Sequence, residues 1–328
     1  SILKQSSSGG MFGSFAKYLF NSNTNVKVFA VKNDLGKVVY EICTDYRDLE
    51  QFYKSKYCQA FLNKAFYERL ISAISNEAVC LIIGTPCVLS GIKNTLLAQK
   101  AKLTSCIFVD LVCHGVMSQS VYHTHLEECK KRWGGLVTQH YFRYKRAVTK
   151  DCPEGSHWNL YKVNNEIIIK KSDDDYYMQT YFADLAMRET CYCCQFTGTN
   201  RIGDISIGDF NNAHILCSQF DGLRSVSLVL VNTDKGQRFI DECNNNTVNL
   251  QPVDIKLLQK FNTPLTAPIK RPFQRSLFYT FYNSLGLSRT VSLLNYKYYL
   301  RKIIVAFGGK KLLLKIKALL GRSYIDIE

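Results

Sequence analysis

The pattern of apolar and polar positions changes character near the middle of the chain. Between residues 78 and 133 two similar units follow each other, each with a short apolar strand, a loop and a helix. The strands are predicted at 78–83 and 106–112, and the helices at 89–100 and 120–133. Such βα alternation predicts two parallel strands joined by crossover helices.

After Gly135 the sequence is typical of antiparallel strands. Strands are predicted at 137–143, 158–163 and 166–171, the last two forming a hairpin around Asn164 and Asn165. The remaining apolar spacing predicts helices at 11–20, 60–75, 176–187 and 235–244, and strands at 26–31, 37–43, 204–209 and 226–231.

These elements together predict an α+β (mixed α/β) fold. We expect βα units with a parallel sheet portion, then an antiparallel sheet portion, and finally a helical C-terminal tail. The predicted domains are residues 1–77, residues 78–250 and a tail at 251–328.

Composition narrows the class of protein. The chain has 328 residues, of which 46% are hydrophobic, so it can bury a sizeable core and is not globally disordered. Thirteen cysteines without a visible signal segment argue against a secreted disulfide scaffold. Because no apolar stretch reaches the roughly 18–20 residues of a membrane-spanning helix, we expect a cytoplasmic protein.

The net charge of +15 is concentrated in the tail. Residues 255–325 contain fourteen Lys or Arg and no Asp or Glu. The tail is predicted to be helical and amphipathic, most clearly at 310–320. It could contact an anionic membrane surface from the inner, cytoplasmic face, dock on an acidic protein such as a ferredoxin, or form a solvated extension. The sequence contains no recognised nucleic-acid motif, so we expect no nucleic-acid partner.

Four cysteines are candidates for a shared inorganic site. Cys87 and Cys113 each follow a predicted strand and precede a helix, where unpaired amides and the helix dipole favour a thiolate. Cys191 and Cys194 form a Cys-x-x-Cys pair with Cys193 inside it. A four-thiolate site indicates either an iron–sulfur cluster or zinc, and both remain open at this point. The cysteines within predicted strands and helices are interpreted as buried core residues.

A second candidate feature is the run Ser-Ser-Ser-Gly-Gly at 6–10, which leads into a predicted helix. Small residues at a helix start let backbone amides approach a phosphate, although a flexible turn is the simpler interpretation. Asp204 and Asp209 flank a predicted strand and could be caps or catalytic acids. His114 could be a ligand or a simple hydrogen-bonding residue.

Taken together, several segments in order resemble the beta-subunit family of coenzyme F-420 hydrogenases and dehydrogenases. The resemblance covers about residues 4–250. Its segments are Ser-Ser-Ser-Gly-Gly at 6–10, Ser-Lys-Tyr at 55–57, Gly-Thr-Pro-Cys at 84–87, Val-Asp-Leu-Val-Cys-His-Gly at 109–115, the cysteines at 191 and 194, Arg-x-x-Asp-Ile-Ser-Ile-Gly-Asp at 201–209, and Ser-Val-Ser-Leu-Val-Leu-Val-Asn-Thr at 225–233.

This resemblance implies an iron–sulfur flavoprotein oxidoreductase. It would make residues 1–77 a flavin-associated domain and residues 78–250 the iron–sulfur and flavin domain. Electrons would pass between a [4Fe-4S] cluster, FAD, and a carrier such as a ferredoxin, a deazaflavin or another small-molecule acceptor. The implied cluster ligands are Cys87, Cys113, Cys191 and Cys194, and the implied FAD contacts are Ser8, Gly9, Gly10, Lys56 and Thr85.

The chain departs from the family pattern in several places. It lacks the Cys-x-x-Cys-rich ferredoxin-like module that begins many relatives, so it is either a fragment or receives electrons from a separate protein. Met117, Gln119, Asn211 and Asn212 replace residues common in relatives, so the resemblance does not identify the substrate. Relatives outside hydrogenases suggest a setting in surface-polysaccharide biosynthesis. Two rival interpretations are a non-catalytic, zinc-stabilised scaffold whose basic tail docks on a membrane or an acidic partner, and an enzyme acting on a sugar-linked substrate with a structural cluster.

Overall fold

A computed structural model describes residues 2–145, 157–210, 213, 225–246 and 248–295. The chain divides into two compact units, Ser1–Pro272 and Phe273–Glu328. In the described part of the chain, each helix is too short or too polar to cross a membrane. The helix predicted at 310–320 lies outside the described residues. The predicted domain boundaries after residues 77 and 250 stay predictions.

The described strands form two sheets. The larger sheet has the order β2-β1-β3-β4-β8-β9, and the smaller has the order β5-β6-β7. β1, β3, β4 and β8 run parallel, while β2 and β9 close the edges in antiparallel pairing. The strands are β1 (Val26–Asp34), β2 (Lys37–Cys43), β3 (Val79–Gly84), β4 (Cys106–Leu111), β5 (Val137–Tyr141), β6 (Trp158–Val163), β7 (Glu166–Lys171), β8 (Ile205–Asp209) and β9 (Ser227–Val231).

Helices cover both faces of the larger sheet, and one of them packs against the smaller sheet. Those of the first unit are α1 (Ile2–Gln5), α2 (Met11–Ser22), α3 (Lys64–Ser75), α4 (Pro86–Ala98), α5 (Gln119–Trp133), α6 (Tyr176–Phe182), α7 (Asp234–Asn246) and α8 (Ile255–Phe261). The second unit contains α9 (Arg275–Leu285) and α10 (Leu287–Leu294) in its described part.

The larger sheet is buried on both faces, which explains its continuous apolar runs. Leu81 and Ile83 of β3 face a core formed with α2 and α7, whereas Cys80 and Ile82 face a core formed with α3 and α4. Side chains of consecutive strand residues point to opposite faces, so one strand supplies both cores. The mixed fold, the parallel β3–β4 pair and the hairpin of β6 and β7 are therefore confirmed.

Two predicted helices are longer than the observed ones. The helix predicted at 60–75 begins at Lys64, because the Asn63 side chain caps it by accepting from the Phe66 amide. The helix predicted at 176–187 ends at Phe182, and Asp184 adopts a left-handed φ of 54°. An α-helix cannot continue through that conformation, and the chain turns toward the cysteine loop instead.

The sequence allows Asp204 to be either a cap or a catalytic acid. In the structure this residue links neighbouring elements. It is buried, and its carboxylate accepts from the Phe108 amide at 2.9 Å and lies 3.1 Å from Lys235 Nζ. Asp209 forms an ion pair with Arg143. Asp204 therefore joins β4 and β8 to the start of α7.

Candidate functional site

Cys87 lies in the first turn of α4, immediately beyond the carboxyl end of β3. Thr85 is the N-cap residue and Pro86 the first helical residue, where its fixed φ suits a helix start. The helix therefore begins before residue 89, and the prediction that placed Cys87 in a loop is wrong. Cys87 is exposed, and its Sγ is 3.4 Å from Thr85 Oγ1.

Cys113 follows the neighbouring strand β4. The Val112 amide donates to the Ile207 carbonyl at 2.8 Å, which holds the chain against β8 up to the residue before the cysteine. A Cβ added at Gly115 would make an ordinary contact with the Cys191 Cβ at 3.6 Å and a tight one with Met187 Sδ at 3.3 Å. The turn at Gly115 therefore lies against the Cys191 loop.

The third stretch contains Cys191, Cys193 and Cys194. A 3₁₀ turn, Glu189–Cys191, precedes the pair, and the Arg188 amide donates to the Val116 carbonyl at 3.0 Å. Cys193 is exposed, and its Sγ is directed at the Glu189 and Thr190 carbonyls at 3.8 and 3.9 Å. Cys193 therefore contacts its own turn.

Electrostatics show that the four predicted ligands lie close together. Burial raises the pKa of Cys113 to about 12, with further contributions from negative charge on Cys87, Cys191 and Cys194, and the Gly115 amide opposes the shift. Burial also raises the pKa of Cys191, again with contributions from Cys87 and Cys194, and the Val116 amide opposes it. Cys113 and Cys191 thus each interact electrostatically with Cys87 and Cys194, and the ligand set stays a prediction.

The four thiols are near one another without surrounding a single point. Among the described residues, no group of three or more His, Cys, Asp or Glu side chains is arranged to hold one metal ion. A four-iron cluster lies between its ligands, so its thiolates stand further apart than those around a single ion. Four cysteines, with two backbone amides interacting with their sulfurs, are a donor set that suits either an iron–sulfur cluster or zinc.

A buried ion pair positions the segment after the cysteines. Arg201 and Asp110 are joined at 2.6 Å, and their side chains are 1% and 0% exposed. Asp110 also accepts from the Ile202 and Gly203 amides, while Arg201 donates to the Phe196 carbonyl. This network ties residues 196–203 to β4. The sequence indicates that Asp110 has a partner, because an aspartate inside an apolar strand requires a buried hydrogen-bonding or charged group.

The predicted flavin residues fall in connected regions of the first unit. Ser8 Oγ donates to the Val226 carbonyl and accepts from Ser227 Oγ, both at 3.3 Å. A Cβ added at Gly9 would lie 2.6 Å from the Ser227 amide nitrogen, so glycine at 9 is required by close packing against β9. Gly10, with φ 93°, is the N-cap residue of α2. Thr85 lies beside Cys87.

Lys56 lies on a segment that is joined to the loop at residues 6–10, because the Ser55 amide donates to Ser7 Oγ at 2.8 Å. Its ammonium group donates to the Phe52 and Tyr53 carbonyls at 2.7 and 2.8 Å. Burial lowers the pKa of Lys56 to about 7, and the nearby Lys54 lowers it further. Lys56 can therefore gain or lose a proton near neutral pH.

This lowered pKa predicts a pH-dependent stability. Between pH 7 and the ordinary lysine pKa of 10.5 the unfolded chain holds more protons at Lys56 than the folded chain, so stability rises with pH in that window. Relative to Lys56→Met, the flavin-free protein should gain at most about 1.4 kcal/mol per pH unit. Urea unfolding of both proteins at pH 7, 8 and 9 measures the difference, and a constant difference would contradict the shift.

Comparisons with known proteins place the chain in a family. The profile that describes the C terminus of the beta subunit of coenzyme F420 hydrogenase/dehydrogenase matches residues 78–256. This match covers more than half of the chain, so the chain belongs to that family, as the resemblance of its motifs predicts. A comparison with curated proteins finds no match.

Solved structures support the fold. A chain from the F420-reducing [NiFe] hydrogenase complex of Methanosarcina barkeri, studied by xenon derivatization, is similar with a TM-score of 0.51. The two chains share 14% identity over 80% of this chain and 84% of that one. Similarity at this identity indicates a shared fold.

Proposed function

We propose that this chain is an iron–sulfur flavoprotein oxidoreductase, with a [4Fe-4S] cluster held by Cys87, Cys113, Cys191 and Cys194. The observation that carries the proposal is the convergence of these thiols from three separate stretches of chain. Membership of a family named for hydrogenase and dehydrogenase subunits supports redox chemistry. When bound, the cluster would supply one-electron exchange and FAD two-electron exchange.

The charges of the site support a bound metal cluster. Burial is the main reason why Cys113 resists ionisation, and repulsion from the three neighbouring thiolates adds to it. Bound iron supplies the compensating positive charge, and metal ligation deprotonates thiols. The Gly115 and Val116 amides stabilise negative charge on Cys113 and Cys191, an interaction that also tunes cluster potentials.

The proposal assigns FAD to the region of Ser8, Gly9, Gly10, Lys56 and Thr85. Two features support this assignment: the first amides of α2, which lack intrahelical acceptors, and the Ser7–Ser55 hydrogen bond that joins the glycine loop to the Lys56 segment. Thr85 lies beside Cys87, where a flavin would meet the cluster site.

The remaining parts of the proposal concern partners and setting. Electrons would be exchanged with a carrier protein such as a ferredoxin, or with a deazaflavin or another small-molecule acceptor. The protein would act in the cytoplasm, with its basic tail at the inner membrane face, in surface-polysaccharide biosynthesis. The basis for the tail's role is its fourteen cations without acids over residues 255–325.

Metal and flavin analysis of anaerobically purified protein tests the proposal. We expect brown protein with about four iron atoms and matching sulfide per chain, together with flavin absorption. One zinc and no iron would support the zinc-stabilised scaffold instead. Protein that remains free of iron and flavin after anaerobic reconstitution would overturn the proposal.

A further inference from the structure

A cavity of about 380 Å³ lies where residues 51–56, the β1–β2 turn and the strands β5 and β6 meet. Its volume is in the range of small-molecule sites, about 300–1,000 Å³. The four cysteines do not line it, and neither do Ser8, Gly9, Gly10 or Thr85. Of the residues assigned to FAD only Lys56 reaches it, so the cavity lies beside that predicted site.

The charges lining the cavity are mostly positive. Among the described residues that line it, Lys54, Lys56 and Lys162 face a single acid, Asp34. Among the described residues none of these three lysines forms a salt bridge. Glu50 attracts the Lys54 charge without lining the cavity. Burial lowers the pKa of Lys54 and Lys56, so neither ammonium group is fully compensated by Glu50 or by the carbonyls of Phe52 and Tyr53.

Two of the lysines are positioned by an aromatic side chain. The ammonium groups of Lys54 and Lys162 lie 5.7 and 6.0 Å from the centroid of the Tyr141 ring. Lys54 also has a left-handed φ of 69°, an uncommon conformation for a residue with a side chain. Cation–π contacts orient the ammonium groups and leave their N–H donors available.

We propose that this cavity binds a small polyanion carrying phosphate or carboxylate groups. Lys54 and Lys162, together with Lys56 when it is protonated, supply the charge, and neutral polar side chains such as Asn33 and Gln139 supply directional hydrogen bonds. The cavity has the size for one such molecule and a net positive lining. A neutral or cationic ligand would bring no negative charge to these lysines, of which Lys54 and Lys56 are partly buried and Lys162 is exposed.

Buried aromatic contacts join the cavity to the cysteine site. The Tyr181 hydroxyl donates to the Gly115 carbonyl at 3.4 Å, and its ring centroid is 4.5 Å from that of Tyr57. Tyr57 contacts Phe142 at 5.6 Å, and Phe142 contacts His140, which lines the cavity, at 3.8 Å. A role of these contacts in electron exchange rests on the proposed function, whereas the binding of the polyanion does not.

Calorimetric titration of the anaerobically purified full chain tests the binding. The probes are inorganic pyrophosphate and citrate, which separate phosphate from carboxylate recognition. We expect saturable binding of at least one probe at one site per chain. Binding should weaken at least about tenfold in Lys54→Gln/Lys162→Gln, because two charge-assisted contacts are lost. The control Lys17→Gln/Lys130→Gln removes the same charge from exposed positions of α2 and α5 and should bind within about twofold of wild type.

Three results would overturn the proposal: no saturable binding of either probe, equal weakening in both double variants, or loss of flavin from Lys54→Gln/Lys162→Gln. The last would assign the cavity to FAD itself. Iron content, measured on the same samples, reports on the proposed function separately. A protein without iron that still binds a probe would retain the binding proposal and lose only its redox assignment.

Discussion

Cys113→Ala should lose most of the cluster iron, whereas Cys193→Ala should keep the wild-type iron content. Burial raises the pKa of Cys113 most, and charge on the other three thiols adds to the shift, so Cys113 interacts with each of them. Its position after β4 is held by the Val112–Ile207 hydrogen bond, so no neighbouring cysteine can replace it without moving the strand end. Iron and acid-labile sulfide per chain, with the visible absorption of the anaerobic protein, measure the effect.

Cys193→Ala is a matched control because it removes a thiol from the same loop. Its sulfur is directed at carbonyl groups of its own turn, away from a shared site. Equal iron loss in both variants would show that Cys193 is a ligand, and unchanged iron in Cys113→Ala would disprove the assigned ligand set. Circular dichroism of the apo proteins verifies that both variants fold.

The convergence of Cys87 and Cys113 could be predicted from the sequence for a simple reason. Each follows an apolar run of strand length, and parallel neighbouring strands end at the same sheet edge. β3 and β4 are indeed neighbours, with Ile83 opposite Val109 and Gly84 opposite Asp110. The apolar strand pattern and the shared edge of parallel strands were sufficient to predict that these two cysteines lie near each other.

The parts that could not be predicted depend on contacts distant in the sequence. The ion pair of Asp110 and Arg201 spans 91 positions, and neither residue type indicates its partner. The order β4-β8-β9 and the cavity beside Lys54 likewise arise from packing between distant segments. The predicted helix ends differ from the observed ones where a single residue determines the end. Asn63 caps the start of one helix, and the left-handed φ of Asp184 prevents the other from continuing.

The second large effect should come from Arg201→Met. This change leaves Asp110 buried, without its cationic partner, inside β4. Removing one partner of a buried pair typically costs about 3–5 kcal/mol, because an uncompensated charge remains. Urea unfolding of the apo protein measures the free energy. The same variant should retain less iron, since Arg201 also holds the Phe196 carbonyl near the Cys191–Cys194 loop.

Two further variants separate charge from packing in this prediction. Arg69→Met breaks the Arg69–Glu41 pair, whose side chains are 45% and 25% exposed, and should cost at most about 1 kcal/mol. Asp110→Asn/Arg201→Met removes the stranded charge and should be more stable than Arg201→Met alone. If Arg201→Met costs no more than Arg69→Met, the buried pair does not hold this segment. The cysteine loop must then be positioned by the packing around Gly115, where an added Cβ would reach Met187 and Ile269 at 3.3 Å.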